Sequence, residues 1–200
     1  MELTALELRD RDEQQFYEEY YDWCEYALDY EWWDYIEEEF KNKCKPMGID
    51  VTRIFFTGFY SQGDHAGFEG RVDLSRYMKY YKMDEEYPAL FAALCEDGGY
   101  IDVTHGHRWY GMEFDLREGT YYVPPCNVFQ DLEEETWNAL ISEQWADSRL
   151  SDLVTETCTD LGHDLWGELE KDYASLTSEE AFIESCECNN VKFEYEGDEE

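Results

Sequence analysis

The carboxylates of this chain are concentrated at its two ends, and this asymmetry restricts what each part of the chain can become. Residues 1–40 carry a net charge of −13, residues 118–200 carry −20, and residues 41–117 carry only −2. Carboxylates repel one another and are costly to bury unless they are paired. We therefore expect the near-neutral centre to form the scaffold and the two acidic ends to present the outer helices.

The size and the aromatic content of the chain indicate a globular fold in spite of the charge. Hydrophobic residues make up 43% of the 200 residues and aromatic residues 18%, whereas a solvated acidic tail has few aromatics. A chain of this length can bury a sizeable core without a disulfide or a metal ion. No internal repeat or linker divides it, so we predict a single domain over 1–200.

The N-terminal segment, 1–45, has the pattern of an acidic helix. Its periodicity predicts a helix over 10–44, with Asp10 and Glu13 as a capping box and Pro46 beyond its end. Up to residue 30 the apolar residues lie on one face. The opposite face carries Glu18, Asp22, Glu25 and Asp29. Beyond residue 30 the two faces exchange, so the helix either breaks near 29–31 or packs its halves against different partners.

The centre, 50–123, has the composition and the two-residue period of β-strands. We predict strands over 51–60 and 68–74, joined by a polar turn. Ser75 is predicted to cap a short helix, and a second helix is predicted to begin at Asp84 and to end at a pair of glycines. Strands over 100–104 and 108–116 are predicted to form a hairpin.

Acidic helices are predicted over 131–188. Asp131 is predicted to cap a helix over 131–146, and a change of phase after it predicts a separate helix over 151–173. The residues predicted to face the core from this region are Leu150, Val154, Leu161, Leu165 and Leu169.

The last elements complete an α+β fold. Ser178 is predicted to cap a short helix, and a strand over 191–195 is predicted to return to the sheet. Together these patterns predict an α+β fold with a central antiparallel sheet of about four to five strands, flanked by acidic N-terminal and C-terminal helices.

The acidic helices are the first candidate site, because their charge spacing is close to that of a nucleic-acid strand. Residues 10–39 hold 13 acids, and one helix of that length would carry a charge about every 3.5 Å, against ~3.4 Å between phosphates along one DNA strand. The predicted partner-binding carboxylates are Glu18, Asp22, Glu25, Asp29, Glu133, Glu134, Asp152, Glu156 and Asp160. The alternative is an acidic face that is simply solvated.

A surface of this kind favours a basic protein as partner. Direct binding of nucleic acid is disfavoured, because its affinity comes from Lys and Arg that neutralise phosphates, and an anionic membrane is disfavoured for the same reason. Trp32 and Trp33 are predicted to be exposed aromatic anchors for the partner. No basic leader and no long apolar run is present, so we expect a cytoplasmic protein. A dimer stays open as an alternative to a monomer.

The polar turn between the first two strands is the second candidate site. Ser61, Gln62, Asp64 and His65 could converge on a small ligand there, although simple chain reversal accounts for the same residues. His105 and His107 lack a carboxylate or cysteine at metal-ligand spacing, so we predict no metal site.

Catalytic and redox motifs give no support for an enzyme. No GxSxG, Walker or GxGxxG motif is present, and we predict neither enzymatic activity nor a cofactor. The seven cysteines include no CxxC pair, which indicates reduced thiols rather than a disulfide framework.

One stretch resembles a known group of proteins. Residues 57–70, TGFYSQGDHAGFEG, resemble the signature SGF-SQGDGASF-G of uncharacterised small proteins from bacteriophages and prophages, with His65 and Gly67 departing from it. The resemblance implies a phage origin and no particular activity. Small and very acidic phage proteins are similar in composition to DNA-mimic inhibitors of restriction, CRISPR or repair enzymes.

Three functions therefore remain open at the level of the sequence. The leading one is a phage-type inhibitor that mimics nucleic acid and blocks the basic surface of a host defence protein in the host cytoplasm. The second is an interaction protein that uses the neutral sheet as its contact face. The third is a small-ligand binder at the turn that contains Asp64 and His65.

Overall fold

The computed structural model describes residues 1–28, 30–59, 64–97, 100–105, 114–116 and 134–195. The chain forms two compact units. The terminal unit consists of Met1–Asp34 and Leu169–Glu200, and the central unit consists of Tyr35–Glu168. The single domain expected from the sequence stays a prediction.

The described elements are helices and short strands. In chain order they are β1 (Glu2–Leu3), α1 (Ala5–Arg11), α2 (Glu13–Ala27), α3 (Asp34–Cys44), a 3₁₀ turn (Lys45–Met47), β2 (Ile49–Phe56), β3 (Ala66–Asp73), α4 (Leu74–Tyr80), α5 (Pro88–Asp97), β4 (Tyr100–His105), β5 (Phe114–Leu116), α6 (Glu134–Leu176), α7 (Glu179–Cys188) and β6 (Phe193–Glu194).

The terminal unit joins the two ends of the chain. β1 pairs antiparallel with β6, and Leu3 lies opposite Phe193. The core of this unit consists of Leu3, Ala5, Leu8, Phe16, Phe182, Cys186 and Phe193. The predicted return of the last strand to the central sheet is therefore wrong, because a two-residue strand near the N-terminus is its partner instead.

The N-terminal helices do not begin at Asp10, as the sequence predicted, but at Ala5 and Glu13. Thr4 and Glu7 form the capping box of α1, and Asp12 caps α2 by accepting a hydrogen bond from the backbone N–H of Gln15. The predicted capping box at Asp10 is wrong, because Asp10 already lies inside α1. In the observed box the backbone N–H of Thr4 donates to Glu7 Oε2 at 2.9 Å, and the backbone N–H of Glu7 donates to Thr4 Oγ1 at 3.2 Å, so two free N–H groups are satisfied.

Of the two alternatives left open for residues 29–31, the structure shows the break. α2 ends at Ala27 and α3 begins at Asp34. Phe16 is buried on α2, whereas Ile36 and Phe40 are buried on α3. The exchange of apolar and acidic faces in the sequence thus marks the change from one helix to the next.

The central unit contains a four-stranded antiparallel sheet in the order β2-β3-β4-β5. The α+β class and the central antiparallel sheet are confirmed, as is the pairing of β4 with β5. The inner face of β3 contributes Phe68 and Val72, both fully buried, and the ring of Phe40 meets Phe68 edge-on at 5.2 Å between centroids. α4 is capped by Asp73 rather than by Ser75, because the Asp73 carboxylate reaches the backbone N–H of Arg76 at 3.0 Å.

α6 is one continuous helix of 43 residues. The predicted separation into helices over 131–146 and 151–173 is wrong. No proline lies between 134 and 176, so the change of phase alters which face is apolar without ending the helix. The predicted stripe of buried residues is confirmed, and Cys158 belongs to it as well. Asp131 lies outside the described residues.

The length and the apolar character of a helix decide whether it can cross a membrane. Within the described ranges, none of the helices combines the length and the apolar character that a bilayer span requires.

Candidate functional site

The outer face of α2 presents carboxylates in the terminal unit. Glu18, Asp22 and Glu25 are exposed, and steps of three and four residues place them on one face of the helix. Tyr21 and Tyr26 flank this stripe, and they are 63% and 72% exposed. No ion pair within the described residues involves the three carboxylates. The face therefore offers uncompensated negative charge beside aromatic rings.

α6 presents a second acidic face in the central unit. Exposed acids recur at every fourth residue, namely Asp152, Glu156, Asp160, Asp164 and Glu168. Lys43 neutralises one end of this row, because its Nζ lies 3.0 Å from Asp164 Oδ2 and 3.9 Å from Glu168 Oε1. No described lysine or arginine pairs with the first three acids. The uncompensated part of the face is therefore Asp152, Glu156 and Asp160.

The spacing of these charges is wider than the sequence predicted. The expectation that residues 10–39 form one acidic helix, about 45 Å long, is wrong. α2 has 15 residues and is therefore only ~22 Å long. The acids of α6 recur every four residues, or about every 6 Å, which is roughly half the charge density of one DNA strand. Asp29 and Glu133 lie outside the described residues, and Glu134 is the first residue of α6.

The two tryptophans expected to be exposed anchors are placed differently. Trp32 is only 6% exposed, and its ring packs against Trp33 at 5.8 Å and Tyr173 at 6.0 Å. The expected exposure of Trp32 is therefore wrong, because the break between α2 and α3 turns it into the core. Trp33 is half-buried. Sequence reasoning missed Tyr21 and Tyr26, although their positions beside the acidic stripe on the helical wheel could have indicated them.

The turn between β2 and β3 is closed by its own hydrogen bonds. The backbone N–H of Thr57 donates to the carbonyl of His65 at 2.9 Å, and the N–H of His65 donates to Thr57 Oγ1 at 3.1 Å. Asp64 and His65 are both half-buried. Ser61 and Gln62 lie outside the described residues, so a ligand at this turn stays a prediction.

The cysteines and histidines form no recognisable metal centre in the part of the chain that is described. The six described cysteines are free thiols. Cys44 and Cys158 are buried, and burial raises the pKa of each thiol to about 12. The thiolate is the reactive form, so these two side chains are chemically inert at neutral pH.

Thiol labelling is expected to separate the two kinds of cysteine. In the folded protein at pH 8, Cys95 and Cys188 should react with iodoacetamide, because both are exposed. Cys44 and Cys158 should stay unmodified, because a pKa of about 12 leaves roughly one thiol in ten thousand ionised. Peptide mapping by mass spectrometry gives the result, with the urea-unfolded protein as the control in which all of them react. Fast labelling of Cys158 in the folded protein would contradict its buried position.

Comparison with known proteins identifies a family. The model of a family described as a domain of unknown function (DUF8835) matches residues 32–179. No curated protein and no solved structure matches the chain. The matched range contains the acidic face of α6 and the whole central sheet, whereas α1 and α2 lie before it. The acidic face of α6 therefore belongs to the part of the chain that the family model matches, whereas the acidic face of α2 lies outside it.

Proposed function

Since the chain belongs to the DUF8835 family, whose function is unknown, we propose a function from its own surfaces. In this proposal the protein is an acidic inhibitor that places its carboxylates against the basic nucleic-acid-binding surface of another protein. The partner class is a defence enzyme of the restriction or CRISPR type, in the cytoplasm of a bacterium that carries the phage or prophage. The phage setting rests on the resemblance of residues 57–70, and the charge supports the mode of binding.

The observation that carries this proposal is the set of exposed carboxylates without a described counter-charge. Among the described residues, ion pairs form elsewhere but not at the acidic stripe of α2 or at the uncompensated part of the α6 face. These carboxylates are Glu18, Asp22 and Glu25 on α2 and Asp152, Glu156 and Asp160 on α6. A net charge of −35 creates a potential that steers a basic partner towards these faces and raises the association rate. Tyr21 and Tyr26 add rings that can cover the stems of arginines.

Charge reversal tests the proposal on each face separately. One variant carries Glu18→Lys, Asp22→Lys and Glu25→Lys, and a second carries Asp152→Lys, Glu156→Lys and Asp160→Lys. We expect at least one of them to lose nearly all proteins captured from a bacterial lysate at low salt, because three favourable charge pairs become repulsive. Captured proteins from the unchanged chain should also be released by added duplex DNA, because the two compete for one surface.

A matched control separates the faces from the net charge. The variant Glu184→Lys, Glu187→Lys and Glu194→Lys changes the net charge by the same amount at residues that are also exposed, and it should retain capture. Capture that persists in both test variants, or that duplex DNA fails to release, would refute mimicry of nucleic acid. Circular dichroism in the same low-salt buffer checks that every variant is folded, because repulsion within the chain is screened least there.

A second function is favoured by the outer face of the central sheet. Arg53 pairs with Glu69, and Arg71 pairs with Asp102, each at 2.8 Å. The guanidinium of Arg71 also lies 3.8 Å from the ring centroid of Tyr100. This face is exposed and nearly neutral, as a protein contact surface would be. If it binds the partner, Arg71→Ala should abolish capture while the reversed acids leave it unchanged.

A further inference from the structure

The positive charges of the chain are as unevenly placed as the negative ones. Residues 40–49 and 74–83 contain no acid, and together they hold six of the 15 lysines and arginines. These bases are Lys41, Lys43, Lys45, Arg76, Lys79 and Lys82. The two stretches are separated by 24 residues in the sequence, so only the fold can bring them together.

The fold places the 3₁₀ turn of the first stretch against α4 of the second. Arg76 Nη2 donates to the carbonyl of Lys45 at 2.6 Å, and the hydroxyl of Tyr81 donates to Met47 Sδ at 3.8 Å. Gly48 has φ +80°, and its Cα lies so close to α4 that a Cβ would be 2.8 Å from Arg76 Cβ. The fold therefore brings Lys45 of the first stretch to Arg76 of the second within the central unit.

Three of these lysines have no carboxylate partner within the described residues. Lys45, Lys79 and Lys82 are exposed, and no described ion pair includes them. Arg76 has a carboxylate partner, but the distance between its Nη1 and Asp50 Oδ2 is 3.5 Å, longer than the 2.8 Å of the ion pairs of Arg53 and Arg71. In a chain with 50 acids, cations without partners leave a local positive surface. The acids that flank the two stretches in sequence are Glu39, Asp50, Asp73 and Asp84.

Two exposed aromatic rings lie among these cations. Tyr80 and Tyr81 are 47% and 42% exposed, and their rings meet edge-to-face at 5.0 Å. Tyr81 also packs against Tyr77 at 4.6 Å, which fixes its position. Tyr80 follows Lys79 at the end of the same short helix. Aromatic rings near cations are the groups with which proteins hold single-stranded nucleic acid, by stacking on the bases and by contact with the phosphates.

Lys82 adopts the left-handed backbone conformation at the end of α4. Met83 N–H donates to the carbonyl of Met78 at 2.8 Å and Lys82 N–H to that of Lys79 at 3.2 Å, which is a Schellman motif. The residue at the left-handed position, with φ 58°, is a lysine, whereas glycine adopts that conformation without strain. The same motif after α7 uses Asn190, with φ 53°, and asparagine tolerates it better.

We propose that Lys45, Arg76, Lys79 and Lys82, with Tyr80 and Tyr81, form a binding surface for a nucleotide. The lysines and the arginine bind the phosphates as charge-assisted donors, and the base stacks on Tyr80. A nucleotide requires only a few cations, so the net charge that repels long nucleic acids does not exclude it. The free nucleotide and the end of a single strand share this chemistry.

Calorimetry with three probes tests the chemistry of the ligand. In low-salt buffer with EDTA we expect ATP to bind. Adenosine, which lacks the phosphates, and tripolyphosphate, which lacks the base, should each bind at least roughly tenfold more weakly than ATP. A 5′-phosphorylated hexathymidylate that binds more tightly than ATP would identify a strand end as the source. Tripolyphosphate as tight as ATP, or polyglutamate that binds while ATP does not, would overturn the proposal.

Two pairs of variants test the surface itself. Lys82→Gly should raise the Tm by roughly 2–4 °C, because the strain is relieved, while its affinity for ATP falls. The control Asn190→Gly makes a similar backbone change in the terminal unit and should leave ATP binding unchanged. Tyr80→Leu should weaken ATP binding, and Tyr35→Leu, at a tyrosine that is 49% exposed, should not. Equal affinity in Lys82→Gly, Tyr80→Leu and the unchanged chain would refute the assignment.

Discussion

Replacing Phe68 by alanine is expected to lower the free energy of unfolding by about 3–5 kcal/mol. The side chain is fully buried on the inner face of β3, and its ring contacts Phe40 edge-on at 5.2 Å. Alanine would lose the transfer free energy of the ring and leave a cavity that the sheet and α3 cannot close. For a chain of this size the Tm should fall by about 6–20 °C.

Urea titration followed by circular dichroism measures this change. The control is Tyr35→Ala on α3, because that side chain is 49% exposed and its removal should cost much less. The double variant with Phe40→Ala isolates the contact between the two rings, for which we expect a coupling of about 0.5–1.5 kcal/mol. A loss below about 1 kcal/mol in Phe68→Ala would show that this ring is not the centre of the core.

Gly48→Ala is expected to cost about 2–5 kcal/mol, because strain and overlap add. The residue has φ +80°, and a Cβ there would lie 2.9 Å from both the Asp73 carbonyl oxygen and the Tyr77 nitrogen. Those atoms belong to backbone, so they cannot move aside as a flexible side chain can. The hydrogen bond from Asp73 N–H to the Gly48 carbonyl, at 2.8 Å, should be distorted as well.

The matched control for this change is Gly167→Ala. Gly167 lies within α6, is exposed, and would have nothing within 4 Å of a new Cβ. Alanine at that position should stabilise the protein by about 0.5–1 kcal/mol, because glycine loses more conformational freedom on folding. Thermal melts of the two variants should therefore shift in opposite directions. A common destabilisation would show that the space around these glycines is not what distinguishes them.

Features that depend on neighbours in the sequence were predictable. The apolar stripe from Leu150 to Leu169 and the cap at Ser178 follow from periodicity and local hydrogen bonding, and both are present. The exchange of apolar and acidic faces near residue 30 marked the place of the break after α2, but it fitted a change of packing partner equally well. The first cap was placed wrongly because Thr4 and Asp10 both satisfy the same local rule. Local chemistry alone does not rank two adjacent caps.

Features that depend on distant residues were not predictable. β1 has two residues, too few to show any period, so its pairing with the last strand left no signal. The same limit applies to the candidate surfaces. Exposed carboxylates on α2 and α6 follow from helical spacing, whereas the burial of Trp32 and the meeting of Lys45 with Arg76 arise only from tertiary packing.

The pairing of Glu2–Leu3 with Phe193–Glu194 has a consequence for synthesis on the ribosome. The central unit can form its sheet from strands that are close in sequence, and local contacts form quickly. The terminal unit requires residues separated by almost the whole chain, so it can close only after β6 has emerged. Until then Phe16 and the apolar face of α2 have no α7 to cover them, and the strong negative charge of the same helix keeps that nascent surface from aggregating.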